Sequence, residues 1–186
     1  MHAAMSGQPT HMLPPSRPGK QPPGMLVGFV SMPGREKVAL LAAWVLLSLS
    51  AIGLRMAAFR HFAPILGRPI GPDASVSLID DEQEMRAWLV KRAIRRAARI
   101  APFRADCLPQ VLAGSAMCRM LSIPATAYLG VQIGSDPEMV AHAWLCAGPV
   151  PVTGGSSFGE FAVVLCFAVP RPAGTAGLAG LGPNSP

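Results

Sequence analysis

The spacing of apolar and polar residues predicts three helices in the first two thirds of the chain. Residues 38–54 contain no charged side chain, and the helical pattern continues to Phe62. Acidic residues at 80–82 open a second helix, because negative charge suits the positive end of the helix dipole. A third helix is predicted over about 107–121, where apolar residues again recur at helical spacing: Leu108, Val111, Leu112, Ala116 and Met120.

The last third of the chain is rich in strand-forming residues separated by turn residues. Four strands are predicted, over 123–133, 139–146, 150–153 and 160–169. The last of them is almost wholly apolar, which indicates a buried strand. Helices followed by an antiparallel meander predict an α+β domain in which the third helix packs on the sheet.

Proline and glycine concentrate at the two ends of the chain, which has 20 Pro and 19 Gly among its 186 residues. Such a density cannot support a helix or a packed strand. We therefore predict disordered segments at 1–34 and 170–186, on either side of one folded domain at 35–169.

The uncharged run at 38–54 has two interpretations. Its length reaches the lower limit for a membrane span. It also suits a long helix packed under a small domain, because Ser48, Ser50 and Gly53 weaken its apolar character. Positive residues flank both ends and so give a span no clear orientation: Arg35, Lys37, Arg55 and Arg60.

The formal net charge of +6 rests partly on a basic cluster at 91–99. A charge of this size does not by itself indicate nucleic-acid binding, and we expect none. The cluster shares the second predicted helix with an apolar stripe formed by Met85, Leu89, Ala93, Ala97 and Ile100. It is interpreted either as a solvated face or as a docking surface for an acidic peptide or partner.

Cys107 stands at the predicted start of the third helix and is a candidate nucleophile. The helix dipole and the unpaired backbone N–H groups there favour an anion, so they stabilise a thiolate. The other cysteines are Cys118, Cys146 and Cys166, and no secretion signal precedes them, so we expect reduced thiols. No pair has the close spacing of a structural zinc site, and we expect neither metal nor cofactor.

His142 is the candidate base for this nucleophile. His2 and His11 lie in the N-terminal segment, and His61 follows the first helix among basic residues. His142 lies in the middle of a predicted strand, which holds its side chain on one face, as a general base requires. Alone it would fit a core position. Together with a cysteine that opens the preceding helix, it predicts a Cys107–His142 dyad.

Several segments resemble one known family. They are Arg104-Ala-Asp-Cys-Leu-Pro-Gln110, Met120-Leu-Ser-Ile-Pro-Ala125, Leu129-Gly-Val131, Ala141-His-Ala-Trp-Leu145 and Val152-Thr-Gly-Gly155. Together with the stretch at 58–67, they resemble the B proteins of lasso peptide biosynthesis, the McjB C-terminal-domain family of the transglutaminase-like superfamily. The resemblance covers about 36–168. It implies a transglutaminase/papain-like core, and it argues against a membrane span at 38–54.

The resemblance implies a cytoplasmic cysteine peptidase that removes the leader from a lasso precursor peptide, so that a partner cyclase can close the macrolactam. Cys107 would attack the scissile carbonyl, and His142 would take the thiol proton and pass it to the leaving amine. The backbone N–H of Cys107 would serve as an oxyanion donor.

The implied partners are the precursor leader peptide, a lasso cyclase and a separate leader-recognition protein, which is expected because the first 34 residues are predicted to be disordered. The rival hypothesis is a non-catalytic scaffold, anchored in a membrane through 38–54, in which Cys107 is merely buried.

The chain departs from the superfamily at the residue that orients the histidine. An Asp is expected about a dozen positions after His142, but Thr153-Gly-Gly-Ser156 stands there. Five alternatives stay open for this role: a backbone carbonyl, Thr153, a serine, Glu160 reaching back, or Asp106, whose position next to Cys107 gives it a poor aim.

Overall fold

The computed structural model describes residues 32–72, 77–133, 139–155, 159 and 161–169. The helices are α1 (Gly34–Met56), α2 (Ala63–Leu66), α3 (Asp81–Ile100) and α4 (Cys107–Met120), with a 3₁₀ turn at Phe59–His61. The strands are β1 (Arg68–Gly71), β2 (Ala125–Ile133), β3 (Met139–Ala147), β4 (Val150–Thr153) and β5 (Ala162–Val169). These elements confirm the α+β prediction. The predictions of disorder for 1–31 and 170–186 lie outside the described residues, whereas Gly34 already begins α1.

Helix α3 starts where its acidic residues predict. Asp80 is the N-cap, and its Oδ1 accepts a hydrogen bond of 2.8 Å from the Gln83 backbone N–H. In return, the Asp80 N–H donates to Gln83 Oε1 at 3.1 Å. This reciprocal capping box satisfies two backbone donors that the first turn of the helix cannot pair internally.

Part of the basic cluster of α3 holds α1 in place. Arg96 Nη1 lies 2.8 Å from Glu36 Oε2, and Arg92 Nη2 lies 3.7 Å from Glu36 Oε1. The hydrogen bond from Arg96 lowers the pKa of the Glu36 carboxyl below its usual range. Two of the cluster's arginines therefore contact α1, so the cluster is not purely a solvated face.

Helix α1 ends earlier than its pattern predicts, at Met56 instead of Phe62. The chain turns back after the helix, so that the Phe62 ring fills the space beside Gly53. A β-carbon at Gly53 would lie 2.7 Å from Phe62 Cζ. The contact is possible only because residue 53 has no side chain. The helical spacing of apolar residues therefore does not predict where α1 ends.

The sheet has the order β1-β5-β2-β3-β4, with every pair antiparallel. Strands β2, β3 and β4 form the predicted meander, but β5 returns to the other side of β2 instead of continuing next to β4. Strand β1 is not among the strands predicted from the sequence. It pairs with β5, with Arg68 opposite Ala168.

Helix α4 is the central element of the domain. It contacts α1, α3 and the sheet, and most of its residues are buried. Gly114 gives it a close approach to the sheet, since a β-carbon there would lie 2.8 Å from Leu145 Cδ2 and 3.5 Å from Thr153 Cγ2. Burial of this kind fixes the position of Cys107, which is the first residue of the helix.

Candidate active site

Cys107 is the first residue of α4 and is partly exposed, whereas most of the helix behind it is buried. The N-cap residue, Asp106, makes no capping hydrogen bond through its side chain. Pro109 has no N–H, and Gln110 N–H donates to Asp106 O at 3.4 Å. Within the described part of the chain, the N–H groups of Cys107 and Leu108 meet no acceptor, and they suit an incoming oxyanion.

The loop that leads to Cys107 is held by a side chain from the helix itself. Gln110 Nε2 donates a hydrogen bond of 2.7 Å to the Ala105 carbonyl, in a partly buried setting. A short side-chain bond of this kind restrains the approach of the chain to the helix start. Gln110 is therefore a positioning residue for the loop before Cys107, a role that nothing in the sequence indicates.

The course of α4 indicates that Cys107 lies level with the half of β3 that contains His142. Only residues 121–124 separate α4 from β2, whose start pairs with the end of β3 through Thr126 and Cys146. With Gly114 against Leu145, α4 therefore runs in the direction of β3. Cys107 precedes Gly114 by about 10 Å of helix, and His142 precedes Leu145 by about 10 Å of strand.

The His142 ring is held between aromatic rings. Its centroid lies 6.0 Å from that of Trp144, with an angle of 19° between the planes, and 4.9 Å from that of Phe161. Trp144 in turn stacks on Tyr128 at 5.5 Å. Gly130 makes room for this stack, since a β-carbon there would lie 2.8 Å from two atoms of the Trp144 ring. The imidazole is thus fixed by packing, as a base of defined direction must be.

The two members of the predicted dyad leave their elements on different sides of the sheet. Side chains alternate along β3, so His142 and Trp144 point away from the face on which Leu145 meets α4. Pairing of β3 with β4 ends at Leu145, so β4 does not pair with the part of β3 that contains His142. Within the described residues no hydrogen bond joins Cys107 to His142, and their dyad stays a prediction.

The group next to the histidine is a backbone carbonyl. His142 Nε2 lies 3.5 Å from Gly154 O, at the long end of hydrogen-bond distances. When Nε2 carries the proton and donates to this oxygen, Nδ1 is the basic nitrogen of the ring. A carbonyl selects the tautomer, but it stabilises an imidazolium less than a carboxylate would.

The side-chain alternatives for this role are placed differently. Thr153 is buried on the α4 face of the sheet, with its methyl group towards Gly114. Asp106 is largely exposed, and its Oδ1 lies 3.8 Å from Arg104 Nε. Glu160 and Ser156 lie outside the described residues.

Only glycine fits at position 154 without strain. Its φ is +78°, in the left-handed region, and a β-carbon there would lie only 2.3 Å from Trp144 Cβ. The sequence does carry a signal for this turn, because Gly154-Gly155 directly follows a strand. The aromatic pair around His142 has a weaker signal, since Phe161 is nineteen residues away in the sequence.

The remaining cysteines are poorly suited to nucleophilic chemistry. No disulfide joins the four cysteines, all of which lie in described residues. Burial raises the pKa of Cys118 to about 12 and that of Cys146 to about 11. Cys166 is fully buried. Among the described residues, no group of three or more His, Cys, Asp or Glu side chains could hold a metal ion.

We expect iodoacetamide at pH 7 to modify Cys107 at least about tenfold faster than Cys118 or Cys146, because only a thiolate reacts. A thiol of pKa about 11 is ionised to about one part in ten thousand at pH 7. Its labelling should therefore rise about tenfold per pH unit up to that pKa. Peptide mass spectrometry measures each site, and labelling in denaturant is the control. Equal rates in the folded protein would contradict the expectation.

Comparison with known proteins identifies the superfamily of the chain. A family model described as the transglutaminase-like superfamily matches residues 49–166, which is more than half of the chain and includes both Cys107 and His142. No curated protein and no solved structure matched the chain. The chain therefore belongs to the transglutaminase-like superfamily.

Proposed function

We propose that this protein is a cysteine peptidase that removes the leader from a lasso-type ribosomal precursor peptide. The observation that carries the proposal is the position of Cys107 at the uncapped start of a buried helix, where unpaired backbone N–H groups favour a thiolate. The approach of His142 to this sulfur is part of the proposal. The superfamily includes cysteine peptidases, which supports the reaction type. The resemblance of the segments around both residues to lasso B proteins supports the substrate class.

In the proposed reaction Cys107 is the nucleophile and His142 transfers the proton. Cys107 Sγ attacks the carbonyl carbon of the scissile bond, while the thiol proton passes to Nδ1 of His142. The N–H groups of Cys107 and Leu108 stabilise the oxyanion that forms. His142 then donates the proton to the leaving amine as the C–N bond breaks. Water hydrolyses the thioester, which releases the other peptide and restores the thiol.

The proposed partners are a separate leader-recognition protein, which delivers the precursor, and a lasso cyclase, which consumes the freed amine. The proposed compartment is the cytoplasm, where the thiol stays reduced. A reaction that leaves a new N-terminal amine suits a following macrolactam closure, because that amine is the nucleophile the closure needs.

The test is reconstitution of the reaction. The full-length chain is incubated with a lasso precursor and its leader-recognition protein, and the products are identified by mass spectrometry. Cleavage at a single peptide bond, lost after treatment with iodoacetamide, supports the proposal. An intact precursor, with a positive control peptidase active in the same mixture, would favour the non-catalytic scaffold. Cleavage that survives the thiol block would exclude a cysteine mechanism.

A further inference from the structure

Helix α1 presents an apolar stripe to solvent. Six residues on its outward face are between 41% and 82% exposed, although all are aliphatic or Met. These residues, here called the outer stripe, are Val38, Leu41, Val45, Leu49, Ile52 and Met56. Their spacing of three or four residues keeps them on one side of the helix over about 27 Å. An exposed apolar surface of this length marks an interaction site.

The opposite face of α1 is part of the protein core. Ala39, Leu40, Ala43 and Leu47 are buried, and α1 contacts α3 and α4. The helix is long and apolar enough to cross a membrane, with a mean hydropathy of 2.0, but only 22% of that stretch is buried in the protein. If α1 crossed a membrane, its buried face would lose its contacts with α3 and α4. Contact through the outer stripe alone leaves the fold intact, so the helix would lie along a surface.

The charges near the outer stripe indicate which kind of partner surface it can bind. Arg35 is exposed at one end of the helix, and Arg55 and Arg60 are exposed at the other. The acidic residue of α1, Glu36, is turned inward to Arg92 and Arg96. The outer stripe is therefore an apolar band with basic groups at both ends, which is the pattern of an interfacial helix on anionic lipid.

A second copy of the chain fits the outer stripe poorly. If two stripes packed in antiparallel orientation, Arg35 of each copy would approach Arg55 and Arg60 of the other. In parallel orientation each arginine would approach its own counterpart. Both arrangements bring like charges together, at a cost that an anionic surface avoids.

We propose that the outer stripe of α1 binds the surface of an anionic lipid bilayer, with the helix axis parallel to the membrane plane. The aliphatic side chains enter the boundary between headgroups and acyl chains, and the arginines at both ends meet the lipid phosphates. This placement is independent of the proposed peptidase function, since it uses no residue of the candidate active site.

The test is sedimentation of the full-length protein with lipid vesicles. We expect at least about tenfold more protein on vesicles with about one third phosphatidylglycerol than on pure phosphatidylcholine, and less at high salt. Leu41→Asp and Ile52→Asp should each lower binding about tenfold. Leu78→Asp is the matched control, because Leu78 is 88% exposed but lies outside α1, and it should bind like the wild type.

Tryptophan fluorescence provides a local readout. Trp44 adjoins the outer stripe and is 37% exposed, whereas Trp144 is fully buried. In a Trp88→Phe variant, which removes the other exposed indole, emission should shift to shorter wavelength on anionic vesicles. Circular dichroism checks that each variant is folded. An absence of vesicle binding by the wild type would overturn the proposal, as would binding that both stripe variants retain. A dimer that Leu41→Asp dissociates, without vesicle binding, would identify self-association instead.

Discussion

Replacing Cys107 by Ala is expected to abolish leader release, with a fall in rate of at least about a thousandfold. No other group can form the thioester, because the remaining cysteines are buried or of raised pKa. His142→Ala is expected to lower the rate by about a hundredfold or more, since it removes the proposed acceptor of the thiol proton. Single-turnover cleavage of a labelled precursor measures both variants. Precursor binding should persist in both, because neither residue belongs to the proposed leader-binding partner.

Two matched substitutions control for the chemistry of the side chains removed. Cys146→Ala deletes a thiol in β3, and His61→Ala deletes an exposed imidazole in the 3₁₀ turn. Both controls should cleave at close to the wild-type rate. A Cys107→Ala protein that still cleaves would refute the mechanism. If Cys107→Ala fails to cleave and His142→Ala cleaves normally, the sulfur acts with another base.

Local chemistry made the start of α4 and the strands around His142 predictable. Pro109 can only occupy the first turn of a helix, so a helix with Cys107 at its start follows from the sequence. In the structure α4 begins at Cys107. The ends of β2, β3 and β4 lie within two residues of their predicted positions. Likewise the acidic residues at 80–82 predict the start of α3, which the structure caps with Asp80 and Gln83.

Contacts between distant segments account for what the sequence did not predict. Strand β1 is four residues long, contains a proline and is mostly exposed, so it has little periodicity of its own. It exists because β5, about a hundred residues later, offers an edge to pair with. The sequence left a backbone carbonyl open as the group beside His142, but it did not indicate which carbonyl. Every residue has a carbonyl, so no residue type distinguishes Gly154 O from its neighbours.

Replacing Gly154 by Ala is expected to destabilise the protein by about 2–5 kcal/mol, through two separable costs. The φ of +78° disfavours any residue with a β-carbon. In addition, that carbon would lie 2.3 Å from Trp144 Cβ and 2.9 Å from Trp144 Cα, so β3 and the turn must move apart. Because the Gly154 carbonyl moves with the turn, the variant should also lose cleavage activity under conditions where it is still folded.

Gly155→Ala separates the two costs. Residue 155 has a similar φ of +66°, but nothing lies within 4 Å of a β-carbon placed there. It should therefore lose only about 1 kcal/mol, from the backbone conformation alone, and keep its activity. Urea denaturation measures the two free energies of unfolding, and their difference reports the contact with Trp144. Equal losses in both variants would show that backbone conformation alone requires glycine. A stable but inactive Gly154→Ala protein would instead indicate that the turn moves without cost and that the carbonyl position is what catalysis needs.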